Sequence, residues 1–125
     1  MASVEQLLTG LEDSRNQQTT WRATSINTHA AVQATRNAVA SARNIILGFI
    51  VSVSADPTIA QTVKIVDGVT TRREFQLPAV SFSPIIYDLK HPIVCDVNAS
   101  CNINVGDLGV GVVCRVELWG ITDPV

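Results

Sequence analysis

The chain has 125 residues, of which 46% are hydrophobic and 16% charged, and its formal net charge is −2 at pH 7. This length suits one domain with a substantial core. The small negative charge argues against general nucleic-acid binding, which needs a strongly basic face. No apolar run approaches the roughly 20 residues of a membrane-spanning helix. The apolar surplus indicates a protein that buries additional surface against partners.

The N-terminus carries the pattern of a short amphipathic helix over 3–13. Ser3 and Gln6 have the spacing of a capping box. An apolar stripe at i, i+3, i+4 and i+7 consists of Val4, Leu7, Leu8 and Leu11. Because so short a helix is marginal in water by itself, this stripe must pack on its own domain or on another chain. We favour another chain, since the segment that follows has the composition of a tether.

That tether is 14–28, which has no apolar period and few apolar residues besides Trp21 and Ile26. It indicates an extended arm, with Trp21 as its anchor on a partner. The sequence thus predicts an N-terminal helix and extended arm over 1–28 and a β-sandwich domain over 29–125. No signal-peptide pattern opens the chain, so we expect synthesis and assembly in a cytoplasm.

Short β-branched runs alternate with turn residues through the rest of the chain. Apolar residues at every second position predict strands with one buried face. The composition of 30–42 permits a helix or a strand, and we favour a strand over 30–36. The number and spacing of the predicted strands together favour a mainly β fold, a jelly-roll β-sandwich of about eight antiparallel strands. The predicted strands cover 30–36, 45–54, 61–66, 70–77, 81–89, 92–98, 101–105 and 110–120.

Two kinds of residue mark the connections between these strands. Asp67 and Gly68 form a dipeptide typical of a tight hairpin turn, because both tolerate positive φ angles. Pro78, Pro84 and Pro92 belong at strand starts, edges or loops, since proline donates no hydrogen bond to a neighbouring strand. We therefore expect a break between two strands near Pro92.

The reactive side chains form no convergent set. Nothing in the sequence brings Asp96 and Asp107 together, and His29 and His91 have no second ligand at metal spacing. The three cysteines agree with reduced thiols, although Cys95 and Cys101 could also approach each other across the turn at 98–100 to form a disulfide. We predict no catalytic residue, no cofactor and no metal site.

Two further features indicate contacts with other subunits. Arg72 and Arg73 are the only adjacent basic pair and lie in a predicted strand, where they suit a solvated edge or a charge contact. Trp119 stands at an outward-facing position of the last predicted strand, and tryptophan on a face expected to be solvent-exposed is typical of an interface. With the N-terminal stripe and Trp21, these residues form the predicted protein interface.

Several motifs resemble the small jelly-roll modules of tailed-bacteriophage structural proteins. The segments are 34–57, 63–75 and 111–123, and the sequence departs from the pattern at Leu47, where those modules have threonine. The matching positions are Thr35, Ala38, Val39 and Ala40, then Gly48, Ser52 and Ser54, then Val63, Ile65, Asp67 and Gly68, and finally Val116, Leu118, Gly120 and Thr122.

The resemblance implies a non-enzymatic virion structural protein, most directly a capsid cement (decoration) protein that binds the major capsid protein of a phage head shell. It also implies a homo-oligomer, commonly a trimer, located on the capsid surface. The alternative is a tail or fibre module that binds a host receptor or a carbohydrate. We expect neither a nucleic-acid partner nor a membrane partner.

Overall fold

Two four-stranded antiparallel sheets pack face to face as a β-sandwich. The structure is a computed structural model that describes residues 19–77, 79 and 85–125, with the backbone alone for 85–88. Sheet I has the strand order β1-β8-β3-β6, and sheet II the order β2-β7-β4-β5. The strands are β1 (Thr19–Thr28), β2 (Val32–Arg36), β3 (Ala42–Val53), β4 (Gln61–Asp67), β5 (Thr70–Leu77), β6 (Ile85–Val97), β7 (Cys101–Val105) and β8 (Val113–Pro124).

The connectivity follows one nested pattern, in which the first strand pairs with the last. The antiparallel pairs are β1 with β8, β2 with β7, β3 with β6 and β4 with β5. Successive pairs fall alternately in sheet I and sheet II, which is the winding of a jelly roll. The described residues contain no helix, and therefore no helix long and apolar enough to cross a membrane. The helix expected over 3–13 lies outside the described residues.

The core lies between the inner faces of the two sheets and follows the alternation seen in the sequence. Cys101, Ile103 and Val105 on β7 are almost fully buried, as are Val116 and Leu118 on β8. These side chains interdigitate across the sandwich with those of β3 and β4. The alternation therefore predicted the buried face of these strands correctly.

The segment assigned to an extended arm contributes a strand of the sandwich. Residues 19–28 form β1 and pair with β8 at every position from Thr19 with Thr122 to Thr28 with Val113. Trp21, expected as an anchor on a partner, lies in the core with 9% of its surface exposed. The tether interpretation is therefore wrong for 19–28. It failed because the inward residues that follow Trp21 are the small Ala23 and Ser25, which leave no hydrophobic alternation.

The strands predicted over 81–89 and 92–98 are one strand within the described part of this region. β6 runs through Pro92, because β6 is the edge of sheet I and a missing N–H costs nothing on its open side. Its register with β3 shifts on either side of the pair Ile46 and Ile93. Val97 continues the alternation of the buried Ile93 and Cys95 but is 43% exposed, because it lies beyond the second shift. The part of the first prediction that covers 81–84 lies outside the described residues.

The remaining boundaries follow turn chemistry. The 61–66 and 70–77 hairpin is confirmed, with Gly68 at a φ of 59°, and the strand favoured over 30–36 is β2. The final strand begins three residues later than expected. Gly109 and Gly111 hold φ values of 117° and 76°, which keep that stretch out of the sheet and leave Val110 78% exposed.

Candidate binding surface

The outer face of sheet I carries a cluster of aromatic and charged side chains, which we call the Trp119 patch: Arg22, Arg115, Glu117 and Trp119. Trp119 lies on the outer face, as its parity predicted, and is half-buried. Register places Arg22 of β1 directly opposite it. The Arg22 guanidinium carbon lies 5.3 Å from the centre of the Trp119 ring, within cation–π range.

Glu117 stands at the centre of this patch, and only 2% of its side chain is exposed although it points away from the core. Arg22 Nη1 donates to Glu117 Oε1, and Arg115 Nη2 donates to Oε2 over 3.3 Å. The two arginine side chains remain 60% and 51% exposed. A buried carboxylate needs such partners, because an uncompensated charge out of water is costly. Glu117 therefore fixes both guanidinium groups in place on the surface.

A cavity of about 410 Å³ lies beside the patch, lined by Thr20, Trp21, Arg22, Leu47, Trp119 and Gly120. Gly120 makes its close packing possible: a Cβ there would overlap the carbonyl of Ile45 and the Trp21 ring. This glycine lets β3 and β8 approach next to Trp21. Leu47, where the sequence departs from the phage-module pattern, also lines this cavity.

The structure separates the two arginines that the sequence placed together. The register of β4 and β5 shifts between Ile65 and Val66, so Arg72 has no direct partner across the hairpin. Arg72 Nη1 donates to Asp67 Oδ2 over 2.8 Å and to the Val94 carbonyl over 3.3 Å. Arg72 thus ties the hairpin to sheet I. Both hydrogen-bond partners of Arg72 lie within its own domain.

Arg73 lies elsewhere, on the rim of a groove of about 460 Å³ between β5 and β6. Phe49, Phe75 and Leu89 line this groove, and the two phenylalanine rings stack with centres 5.6 Å apart. Lys90 and His91 stand on the same rim. Arg73 and Trp119 therefore lie on different surfaces of the sandwich. Val4, Leu7, Leu8 and Leu11 lie outside the described residues.

All three cysteines are free and buried. Cys95 and Cys101 face each other from the two sheets, with their thiols in hydrogen-bond contact. This contact and burial raise the pKa of Cys101 well above its usual range, and burial raises the pKa of Cys114 to about 11. The same contact lowers the pKa of Cys95. The raised pKa values keep the thiols of Cys101 and Cys114 protonated, and protonated thiols are poor nucleophiles and metal ligands. All three side chains belong to the hydrophobic core.

One histidine pairs with a carboxylate, which sequence spacing did not indicate. His29 Nδ1 and Asp107 Oδ1 lie 3.1 Å apart, with both side chains partly exposed. Asp107 Oδ1 also accepts the Gly109 N–H over 2.8 Å, the local bond expected of aspartate in a turn. Asp96 is not part of this pair; its N–H donates to Asp67. Within the described ranges, no group of His, Cys, Asp or Glu could hold a metal ion.

Comparison with known proteins finds similarity among solved structures. No protein-family model matches the sequence, and no curated protein matches it significantly. Among solved structures, the chain is similar to the CBM36-1 domain of a multidomain xylanase from the hindgut metagenome of Trinervitermes trinervoides. The two are 14% identical with a TM-score of 0.40, and the match covers 83% of this chain and 95% of that chain.

Proposed function

We propose that the chain is a non-enzymatic virion structural protein, a capsid cement protein that binds the major capsid protein and stabilises a phage head shell. The observation that carries the proposal is the Trp119 patch, in which a half-buried tryptophan and two fixed arginines lie together on an outer sheet face. Tryptophan and arginine are the residues most enriched at interface hot spots. The jelly-roll winding and the matched motifs of the sequence support the virion assignment.

The patch is prepared for binding before a partner arrives. Arg22 is held by Glu117 and by the Trp119 ring, so little side-chain freedom remains to be lost on association. Two arginines against one carboxylate leave the patch with a net positive charge. We therefore expect it to meet an acidic surface of the shell protein.

The same face supports self-association. Ile45, Leu47 and Ile50 lie on it half-buried, and Ile26, two strands away on β1, is 63% exposed. Apolar surface left over on a sheet is commonly buried in a closed symmetric oligomer. We propose a homo-oligomer, with three copies as the number that the family resemblance implies.

The test is re-addition of purified chain to parent virions from which it has been stripped. Trp119→Ala should weaken binding by about 30-fold or more, because hot-spot truncations cost about 2 kcal/mol or more. Trp119→Phe should retain part of the affinity, and Val69→Ala, at a hairpin tip that is 99% exposed, serves as the control. Circular dichroism establishes that each variant is folded.

Three results would contradict the proposal. Virions that contain no copy of this chain would exclude a virion component. Full occupancy by Trp119→Ala would exclude the patch as the contact. If electron microscopy located the chain on the tail, the tail or fibre alternative, with a host receptor or carbohydrate as ligand, would replace the cement assignment.

A further inference from the structure

The four edges of the two sheets differ in how they are protected against an added strand. Proteins block such edges with short strands, charges, prolines and bulges. β2 has only five residues. β5 carries Arg72, Arg73 and Glu74 together with a register shift, and β6 carries Pro92 and two register shifts.

β1 has only one of these devices, a single charge. It is ten residues long, contains no proline, and keeps an unbroken register with β8 along its whole length. Arg22 is its one charged residue. Among the described residues, no strand pairs with its second edge. That edge therefore offers a straight row of backbone donors and acceptors, which is the template for strand addition.

A polar groove of about 460 Å³ runs along this edge. Its walls are 21–25 of β1 and 33–36 of β2, the outermost strands of the two sheets on this side, with Asn37 just after β2. Five residues of strand span about 16 Å, enough to hold a short extended peptide. The lining includes Arg22 and Arg36 but no carboxylate.

Arg36 is the second observation at this groove. Among the described residues, only neutral groups hold it: Nη2 donates to Thr122 Oγ1 over 3.1 Å, and its guanidinium carbon lies 5.7 Å from the centre of the Trp21 ring. Trp21 Nε1 and Arg36 Nε have no partner in the described part of the chain and are shielded from solvent. A part-buried guanidinium without a counter-charge favours the approach of an anion.

We propose that the groove between β1 and β2 receives an extended acidic segment of a partner protein, which adds to the free edge of β1 and directs a carboxylate at Arg36. This inference rests on the proposed function, because it names the kind of segment that the shell protein would present. A second copy of β1 fits less well. Antiparallel pairing of two copies would bring the arginines at both grooves to one seam, where like charges repel.

The probe is the synthetic peptide acetyl-STTVEVTTS-amide, with acetyl-STTVQVTTS-amide as its neutral match, added to the full-length chain. The acidic peptide should bind about tenfold tighter or more, because a hydrogen bond to a charged group is worth roughly 1.5–3 kcal/mol. Its affinity should fall with added salt. Amide hydrogen exchange should slow at alternate residues of β1.

Matched variants locate the effect. Arg36→Gln should remove the preference for the acidic peptide, while Arg73→Gln, on the rim of the groove at the opposite edge, should leave it unchanged. Because Arg36 also contacts Trp21 and Thr122, Gln33→Glu provides a second test. Gln33 is exposed on the groove wall, and a carboxylate there should repel the acidic peptide.

Several results would overturn the inference: equal affinity for the two peptides, no binding, or protection of strands other than β1. Protection, in the free chain, of the β1 amides that point away from β8 would also overturn it. In that case, protection of these amides that falls on dilution would assign the edge to a second copy, and protection that does not depend on concentration would assign it to the chain's own residues. The two proposals fail separately: unchanged virion binding by Trp119→Ala would reject the Trp119 patch, whereas equal binding of the two peptides would reject the groove.

Discussion

Removal of both arginines around Glu117 should destabilise the fold more than removal of Glu117 itself. The carboxylate is 2% exposed, whereas Arg22 and Arg115 are 60% and 51% exposed. Loss of the arginines therefore leaves a charge that water reaches poorly. Loss of the carboxylate leaves two guanidinium groups that water already solvates.

The magnitudes follow from this asymmetry. Truncating the partner of a buried charge costs about 3–5 kcal/mol. Because water can enter where the half-exposed arginines stood, we expect the lower end, about 3 kcal/mol, for Arg22→Ala combined with Arg115→Ala. Glu117→Gln alone should cost about 1 kcal/mol, since largely exposed partners gain little from an ion pair. Adding Glu117→Gln to the double-arginine variant should restore about 1–2 kcal/mol, because no charge then remains buried.

Urea unfolding measures all of these free energies, and the slope of each transition checks that the unfolded states are comparable. Arg73→Ala combined with Glu74→Gln, on neighbouring exposed positions of β5, is the control, and its effects should be small and additive. Loss of the contact between Arg22 and Trp119 affects the double and triple variants equally, so it cancels in their comparison. A triple variant less stable than the double variant would refute the reasoning.

Three further predictions concern stability. Trp21→Ala should lower the free energy of unfolding in urea by about 3–5 kcal/mol as a core truncation, and deleting 1–28 should abolish cooperative thermal unfolding because it removes β1. Gly120→Ala should lower the melting temperature by about 5 °C or more, since its Cβ meets the Ile45 backbone; an unchanged value would contradict the packing. Burial raises the pKa of Cys114 to about 11 from 9.0, so stability should be full below pH 9 and fall by about 2 kcal/mol as the pH rises to 11; Cys114→Ala should remove that part of the decline.

Local patterns were sufficient for the strands whose chemistry is complete within a few residues. Gly68 supplies the positive φ of the hairpin turn, and alternation along β7 and β8 marks the residues that are buried. β1 could not be recognised in this way. Its inward positions after Trp21 are small, and its place in the sheet depends on pairing with β8, which lies at the other end of the chain. Proline likewise predicts a break in a strand, but an edge strand can contain it, as β6 contains Pro92.

The candidate site was likewise predictable from the sequence only in part. Parity along one strand was enough to place Trp119 on an outer face, because successive side chains of a strand point to opposite sides. Its partner Arg22, and the burial of Glu117 between two arginines, come from pairing across 95 residues of sequence. The register shift between β4 and β5 leaves Arg72 bonded to Asp67 and Arg73 on the rim of a groove. Composition and alternation thus determined the sandwich and its faces, while pairing between distant strands decided which charges meet, because such contacts depend on register and not on local propensity.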